Sequence, residues 1–352
     1  MTFACRLRRS PIGLDVGARR IKAAQVALRG ASARLHAFLS IARLDTGPVL
    51  SPREAERLGA ALFRAGFCGR AVAATTPAEL LIDAAIELPP RSSRAPMAQI
   101  AAGELARVGR MPVESLVSAH WTTAPASSAA PAPARVVGAE RARVDEFLDS
   151  VEAIDLGEGP LAPIALDTAS WAMVRFVAPW LGAGHDVTLI ADIGWRRCAL
   201  VIVYGRRIVY ERAVPAIGAE SLRQAISRDL AAAPQVIERL LQRHDRDDGA
   251  APPKPATTIA AAAIGRQAEQ VTAEIERSLR FAAELGPTDA CRVILAGGGA
   301  GPGLAREVAA RLDGVAEVRR AEPGQLLDAV PDEAATDCAL AAAIGLAMRM
   351  DR

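Results

Sequence analysis

The sequence predicts an α/β fold of two matching lobes, with a small α+β insertion in the first. Three observations carry that prediction. An apolar strand reaching Asp-x-Gly at Ile12–Gly17 returns as Val187–Gly194, each followed by a second strand, which is the signature of an internal duplication. A later apolar strand runs into Gly297-Gly298-Gly299 before a helical stretch. The length of 352 residues suits about two domains, and 51% of the residues are apolar while only 4% are aromatic, so helices must pack through small side chains.

The elements follow in order. Ser10–Val26 (SPIGLDVGARRIKAAQV) is a buried strand that turns at Gly17 and resumes, and Arg34–Leu44 is a third strand. Ser51-Pro-Arg-Glu54 opens a helix with the look of a capping box, and that helix runs to Ala65 before Gly66. Arg70–Ala74 is a strand. A different module begins with the strand Leu80–Leu88, the helix Pro96–Val108 and the strand Leu116–Thr122. Thr123–Pro133 is low-complexity and reads as an exposed loop. The strand Val136–Ala139, the helix Ala142–Ala153, the strand Ile164–Leu166 and the helix Thr168–Leu181 complete the first half. In the second half the strands Val187–Ile193, Cys198–Val203 and Ile208–Ala213 precede the helices Ala219–Leu230 and Pro234–His244, a polar break at Asp245–Pro255 and a helix from Ile259 to Leu285. The strand Arg292–Ala296 and helices at Leu304–Leu312 and Asp337–Met348 end the chain.

Composition removes several function classes. With 42 Lys+Arg against 40 Asp+Glu the net charge is +2, too balanced for a nucleic-acid binder that works by neutralising phosphates. Cys5, Cys68, Cys198, Cys291 and Cys338 stand singly, so neither a disulfide framework nor a zinc site is expected. The four histidines are equally dispersed and none is assigned a catalytic role. The basic opening MTFACRLRRSPIG lacks the apolar stretch of a signal peptide, and no run is long enough to span a membrane. A cytoplasmic location is the expectation.

Chemistry gathers at the three glycine corners. A hairpin turn that points backbone N–H groups into a cleft makes an anion nest, and Gly17 and Gly194 allow close backbone approach. Asp15 and Asp192, at strand ends, could face a hydrated Mg²⁺. Gly297, Gly298 and Gly299 would let an adenine ring lie flat, with the following helix N-terminus adding positive potential. Each motif alone is weak, and the specificity lies in their order.

That order resembles the actin and hexokinase superfamily, with an Asp15–Lys22 phosphate hairpin, an Asp192–Leu200 phosphate hairpin and an adenosine motif at Leu295–Gly301. Within it the chain resembles the PilM family of type IV pilus assembly, itself related to FtsA. The resemblance rests on IGLDVGARRIKAAQV (Ile12–Val26), Leu88-Pro89 with MPVESL (Met111–Leu116), ILAGGGAGPGL (Ile294–Leu304) and AAAIGLAMR (Ala341–Arg349). It implies an actin-like (RNase H-like, duplicated) fold, with lobe one at 10–78 and 164–184, an inserted subdomain at 79–163, and lobe two at 185–350 with a helical sub-lobe at about 219–285. It also implies an ATP and Mg site using Asp15, Gly17, Lys22, Asp192, Gly194, Glu238, Gly297, Gly298 and Gly299, with Asp15 and Asp192 toward the metal. The partner implied is the N-terminal cytoplasmic segment of a PilN-like inner-membrane protein, seated near Ile86, Leu88, Ile100 and Leu105, with pilus ATPases as further partners. FtsA relatives continue into an amphipathic membrane helix, whereas this chain stops three residues after Arg349, so membrane contact is expected through partners only.

The site departs from the family pattern. Trp195-Arg196-Arg197-Cys198 replaces small and hydroxyl residues, Arg19-Arg20 replaces Ser or Thr, and Leu241 stands where the Glu-x-x-Lys element has Lys. Gly218-Ala219 replaces a two-Gly step. Either the arginines take over phosphate binding, or the site has decayed within a scaffold that binds ATP weakly and turns it over slowly or not at all. The alternative is an ATP-dependent kinase or hydrolase of the same superfamily, with Asp167 as its carboxylate.

Overall fold

The computed structural model of the chain describes residues 8–29, 32–123, 130–182, 184, 186–246, 255–284 and 290–349. Lobe one begins with β1 (Arg8–Arg9), β2 (Ile12–Val16), β3 (Arg20–Arg29) and β4 (Ser32–Ala42), followed by α1 (Pro52–Arg64) and β5 (Ala71–Thr75). Ser51 caps α1 by accepting from the Glu54 backbone N–H at 3.3 Å. The Glu54 side chain does not close a capping box. It accepts from Arg43 at 2.9 and 3.1 Å and from the Leu44 N–H at 2.6 Å, a buried pair that ties the end of β4 to α1.

The insertion contributes β6 (Ile82–Leu88), α2 (Met97–Gly109), β7 (Leu116–Thr122) and β8 (Ala132–Glu140). These strands form an antiparallel sheet in the order β6-β8-β7, and α2 packs Ala101 and Leu105 against Leu88, Leu116, Ala134 and Val136. β8 is longer than the strand expected at Val136–Ala139 and takes in Ala132 and Pro133; residues 124–129 of the expected loop lie outside the described residues. The next helix, α3 (Arg141–Glu152), buries Phe147 and Val151 with Leu58 and Leu62 of α1. The expected end of the insertion at residue 163 therefore includes a helix and loop whose apolar side chains belong to the lobe-one core. Lobe one closes with β9 (Ala162–Asp167) and α4 (Ala169–Phe176). α4 is shorter than the expected Thr168–Leu181 helix. Pro179 lacks the N–H that a continuing helix needs, and Ala178–Trp180 form a separate 3₁₀ turn.

Lobe two repeats the plan. β10 (Val187–Ile193), β11 (Arg197–Tyr204) and β12 (Arg207–Pro215) lead to α5 (Ala219–Leu230), α6 (Pro234–Arg246) and α7 (Pro255–Ala283). Asp245 and Pro255, expected in a polar break, are helical, and residues 247–254 between them lie outside the described residues. Then follow β13 (Cys291–Ala296), α8 (Pro302–Ala309), β14 (Glu317–Arg320), α9 (Pro323–Leu326), α10 (Asp332–Ala335) and α11 (Ala341–Ala347). The pairing β4-β3-β2-β5-β9 in lobe one matches β12-β11-β10-β13-β14 in lobe two. In both, the first two contacts are antiparallel and the last two parallel.

α11 does not stay with lobe two. It crosses back onto the lobe-one sheet, and with α4 it fills a core shared by both lobes, where Met173, Phe176 and Ile344 meet Ile190, Val201 and Ile294. Small residues permit the approach. A Cβ on Gly13 would run into the Ala343 carbonyl oxygen and lie 2.6 Å from the Ala347 nitrogen, and one on Gly345 would run into the Ala172 carbonyl. α11, expected within the lobe-two span of 185–350, thus packs on the lobe-one sheet. Among the described residues, no helix is long and apolar enough to cross a membrane.

Candidate functional site

Both Asp-x-Gly corners arrive at one cleft because β2 and β10 occupy matching central positions in their sheets. The two hairpin turns close alike. The Gly17 N–H donates to the Arg20 carbonyl at 3.1 Å, and the Gly194 N–H donates to the Arg197 carbonyl at 2.9 Å. Between the turns lies a cavity of about 860 Å³, lined by Asp15, Gly17, Lys22, Asp192, Gly194, Glu238, Gly297 and Gly298 among others. That volume falls in the range of small-molecule pockets. Gly299 stands behind the wall, its N–H given to the Ile193 carbonyl at 2.7 Å.

A charge cluster forms the cleft floor. Lys22 Nζ sits 2.5 Å from Asp15 Oδ2, and the Thr75 hydroxyl donates to Asp15 Oδ1 at 3.2 Å. Burial alone would lower the Lys22 pKa, but the negative charges of Asp15, Asp192 and Asp337 outweigh it and hold the ammonium above its ordinary value. Burial pushes the Asp192 carboxyl up to about 6, with Asp15 adding to the rise and Lys22 and Arg197 opposing it. Gly297 lies against this carboxylate at φ +84, and a Cβ there would collide with Asp192 Oδ1. Thr75 and Asp337 belong to this cluster and were not singled out in the sequence. Thr75 could have been found as the end of the strand beside β2, whereas Asp337 gave no signal.

The four turn arginines have separate fates. Arg20 is tied to Ser40, by Nε to the hydroxyl at 2.7 Å and by Nη2 to the carbonyl at 2.6 Å. Arg196 approaches Glu79 at 3.9 Å, and Arg197 lines the cleft. Arg19 reaches across to lobe two, where its guanidinium lies 4.0 Å from the Trp195 ring centroid and 3.3 Å from Glu238 Oε1. Glu238 is also gripped by Arg223, at 2.7 Å to Oε1 and 3.0 Å to Oε2. Hydrogen bonds from Arg223 outweigh burial and, with Arg19, keep the Glu238 carboxyl below its ordinary pKa. Glu238 thus lines the cleft with its oxygens already engaged. Arg223 was missed because only the fold brings α5 beside α6.

The backbone at two helix starts departs from expectation. The α8 N-terminus is not open to a ligand, because the Gly303 N–H donates to Asp245 Oδ1 at 2.8 Å. At the second turn, the Ala219 and Glu220 N–H groups of α5 donate to the Gly194 and Trp195 carbonyls at 2.9 Å each. A Cβ on Gly218 would strike the Trp195 carbonyl, so the residue that begins this helix is fixed by the turn.

Asp167 accepts from Arg175 at 2.7 Å, from Arg349 at 2.8 Å and from the Thr168 N–H at 2.8 Å, and it does not line the cleft. Of the groove residues, Leu88 and Leu105 are buried in the insertion's own core and cannot line an open surface. Ile86 and Ile100 are half-buried at its margin. Cys198 and Cys338 are buried, and burial raises both thiols, Cys338 to about 12.

The residues present fit a phosphate-bearing ligand better than a metal. The turn glycines, Lys22 and the cleft arginines supply donors of the right charge. Asp15 has both oxygens engaged and Lys22 stands beside it. Among the described residues no group of three or more His, Cys, Asp or Glu side chains is placed to hold a metal ion.

No family model matches the chain, and no curated protein does. Among solved structures, it is similar to the "PilM-PilN type IV pilus biogenesis complex", at 22% identity and a TM-score of 0.76, covering 96% of this chain and 98% of that one. It is also similar to ethanolamine utilization protein EutJ from Carboxydothermus hydrogenoformans, at 13% identity and a TM-score of 0.53, covering 97% and 90%. These likenesses are of fold, and the fold is the actin-like one.

Proposed function

We propose that the chain is an actin-like scaffold of a type IV pilus or related type II secretion assembly platform, acting at the cytoplasmic face of the inner membrane. Its partner would be the N-terminal cytoplasmic segment of a PilN-like membrane protein. The observation that carries this reading is the end-to-end structural match to a PilM–PilN complex. The seat is proposed beside the insertion, near Ile86 and Ile100, where an extended segment could bury apolar side chains and pair its backbone with a sheet edge.

In this reading ATP, when bound, would stiffen the two lobes and tune the partner contact. The Gly17 and Gly194 turns and Lys22 would hold its phosphates, with Asp15 and Asp192 facing a hydrated Mg²⁺. Trp195, the engaged Glu238 and the Asp245-capped α8 all argue for weak binding. The kinase or hydrolase reading is less well supported, because Asp167 is tied to two arginines away from the cleft.

The test is capture of a PilN-like N-terminal peptide by the purified chain, together with steady-state ATP turnover. Peptide binding that Ile86→Glu or Ile100→Glu weakens, with turnover at background and an ATP Kd above ~10 μM, is the expected result. No peptide binding with or without Mg·ATP, or turnover faster than once a minute, would overturn the proposal.

A further inference from the structure

At the mouth of the cleft, two guanidiniums from different lobes converge on one carboxylate. Arg223 of α5 holds Glu238 in a bidentate fork, and Arg19, from the turn before β3, adds a third contact at 3.3 Å. The Trp195 ring supports both cations, with its centroid 4.0 Å from Arg19 and 5.2 Å from Arg223. All four residues line the same cavity as Gly17 and Gly194. Charge is unbalanced within the group, with two cations on one anion.

We propose that Arg19 and Arg223 are the two arms of a terminal-phosphate site whose resident occupant is the Glu238 carboxylate. This deepens, and rests on, the reading of the cleft as a nucleotide site. A guanidinium fork that fits a carboxylate fits a phosphate equally well. A phosphate adds a third oxygen and a second charge, which answers the excess cation. Trp195 stacking holds the Arg19 plane in place before any ligand arrives. A polyphosphate entering between the turns must therefore displace Glu238, and its affinity is reduced by that competition. The side chains of Glu238 and Arg19 are 33% and 42% exposed, so the exchange needs no unfolding.

Titration of the full-length chain with sodium tripolyphosphate and with ATP, by calorimetry, tests this. Glu238→Gln should bind tripolyphosphate about tenfold more tightly than wild type. Glu146→Gln, which removes the same charge beside Arg143 on α3, away from the cavity, should change it less than about twofold. Adding Arg19→Ala to Glu238→Gln should abolish the gain. Unchanged or weaker binding by Glu238→Gln, an equal gain from Glu146→Gln, or no effect of Arg19→Ala would each overturn the proposal. Matching melting curves for the variants show that folding is not the cause. The nucleotide reading has its own readout in these titrations: ATP binding no tighter than tripolyphosphate in every variant would count against it, while the Glu238 comparison would still decide the present proposal.

Discussion

The Arg19 guanidinium stacks on the Trp195 ring at 4.0 Å, so the tips of the two duplicated hairpins touch across the cleft. The Arg19–Glu238 pair at 3.3 Å and the Ser170 hydroxyl of α4, which donates to Glu211 of β12, give the cleft further interlobe contacts. Trp195→Ala removes the first contact only. A half-exposed cation–π pair contributes about 0.5–1 kcal/mol, so the melting temperature should barely move. Hydrogen exchange at residues 17–20 and 194–197 should nevertheless accelerate severalfold. Unchanged exchange at both turns would show that the stack does not hold the lobes together.

Asp192 should make stability depend on pH in a definite direction. Its folded pKa is raised to about 6, so the folded state holds this proton more tightly than the unfolded chain. The resulting cost is absent below the unfolded value near 4, grows as pH rises through 6, and is constant above. Asp192→Asn should therefore stabilise the protein at pH 7.5 by on the order of 1–2 kcal/mol. That advantage should shrink toward zero by about pH 4. Chemical denaturation at the two pH values measures it, and a constant difference between them would contradict the assignment.

Glu54 titrates the opposite way. Burial would raise its carboxyl, but the Arg43 and Leu44 hydrogen bonds prevail and lower it. Its contribution is present above the ordinary carboxylate value and is lost as pH falls through the lower folded value. Glu54→Ala leaves the buried Arg43 charge with only backbone carbonyls to meet it and should cost about 3–5 kcal/mol at pH 7. Urea unfolding checks this, and a loss below about 1 kcal/mol would show that the pair is not structurally important.

Gly13 marks the closest approach of α11 to the lobe-one sheet. Gly13→Val places side-chain atoms where the Ala343 carbonyl and Ala347 nitrogen lie. The loss should reach about 3 kcal/mol or more, at the upper end of overpacking effects. Limited proteolysis should then release the C-terminal segment first. Wild-type resistance in that variant would mean that α11 is not held there.

Local signals were strong wherever a short segment carries its own pattern. The Asp15–Gly17 and Asp192–Gly194 corners, the Ser51 cap and the long α7 stripe were all legible because apolar period, turn residues and caps act over a few residues. The short strand β14 was not, since four residues (Glu-Val-Arg-Arg) show no period and acquire strand geometry only by pairing with β13. Glu54 looked like a capping-box acid, but Arg43, distant from it in the helical pattern, claimed it. Leu88 and Leu105 looked like surface for a partner, but the small insertion needs them for its own core.

The duplicated α/β plan and the three glycine corners are legible along the chain, because backbone freedom and apolar alternation are encoded locally. What each charged group meets comes from folding: Lys22 beside Asp15, Arg19 and Arg223 on Glu238, and Asp245 on the first turn of α8. A charge selects its partner by distance in space and by the solvent it loses on burial, and neither is written in the order of residues along the chain.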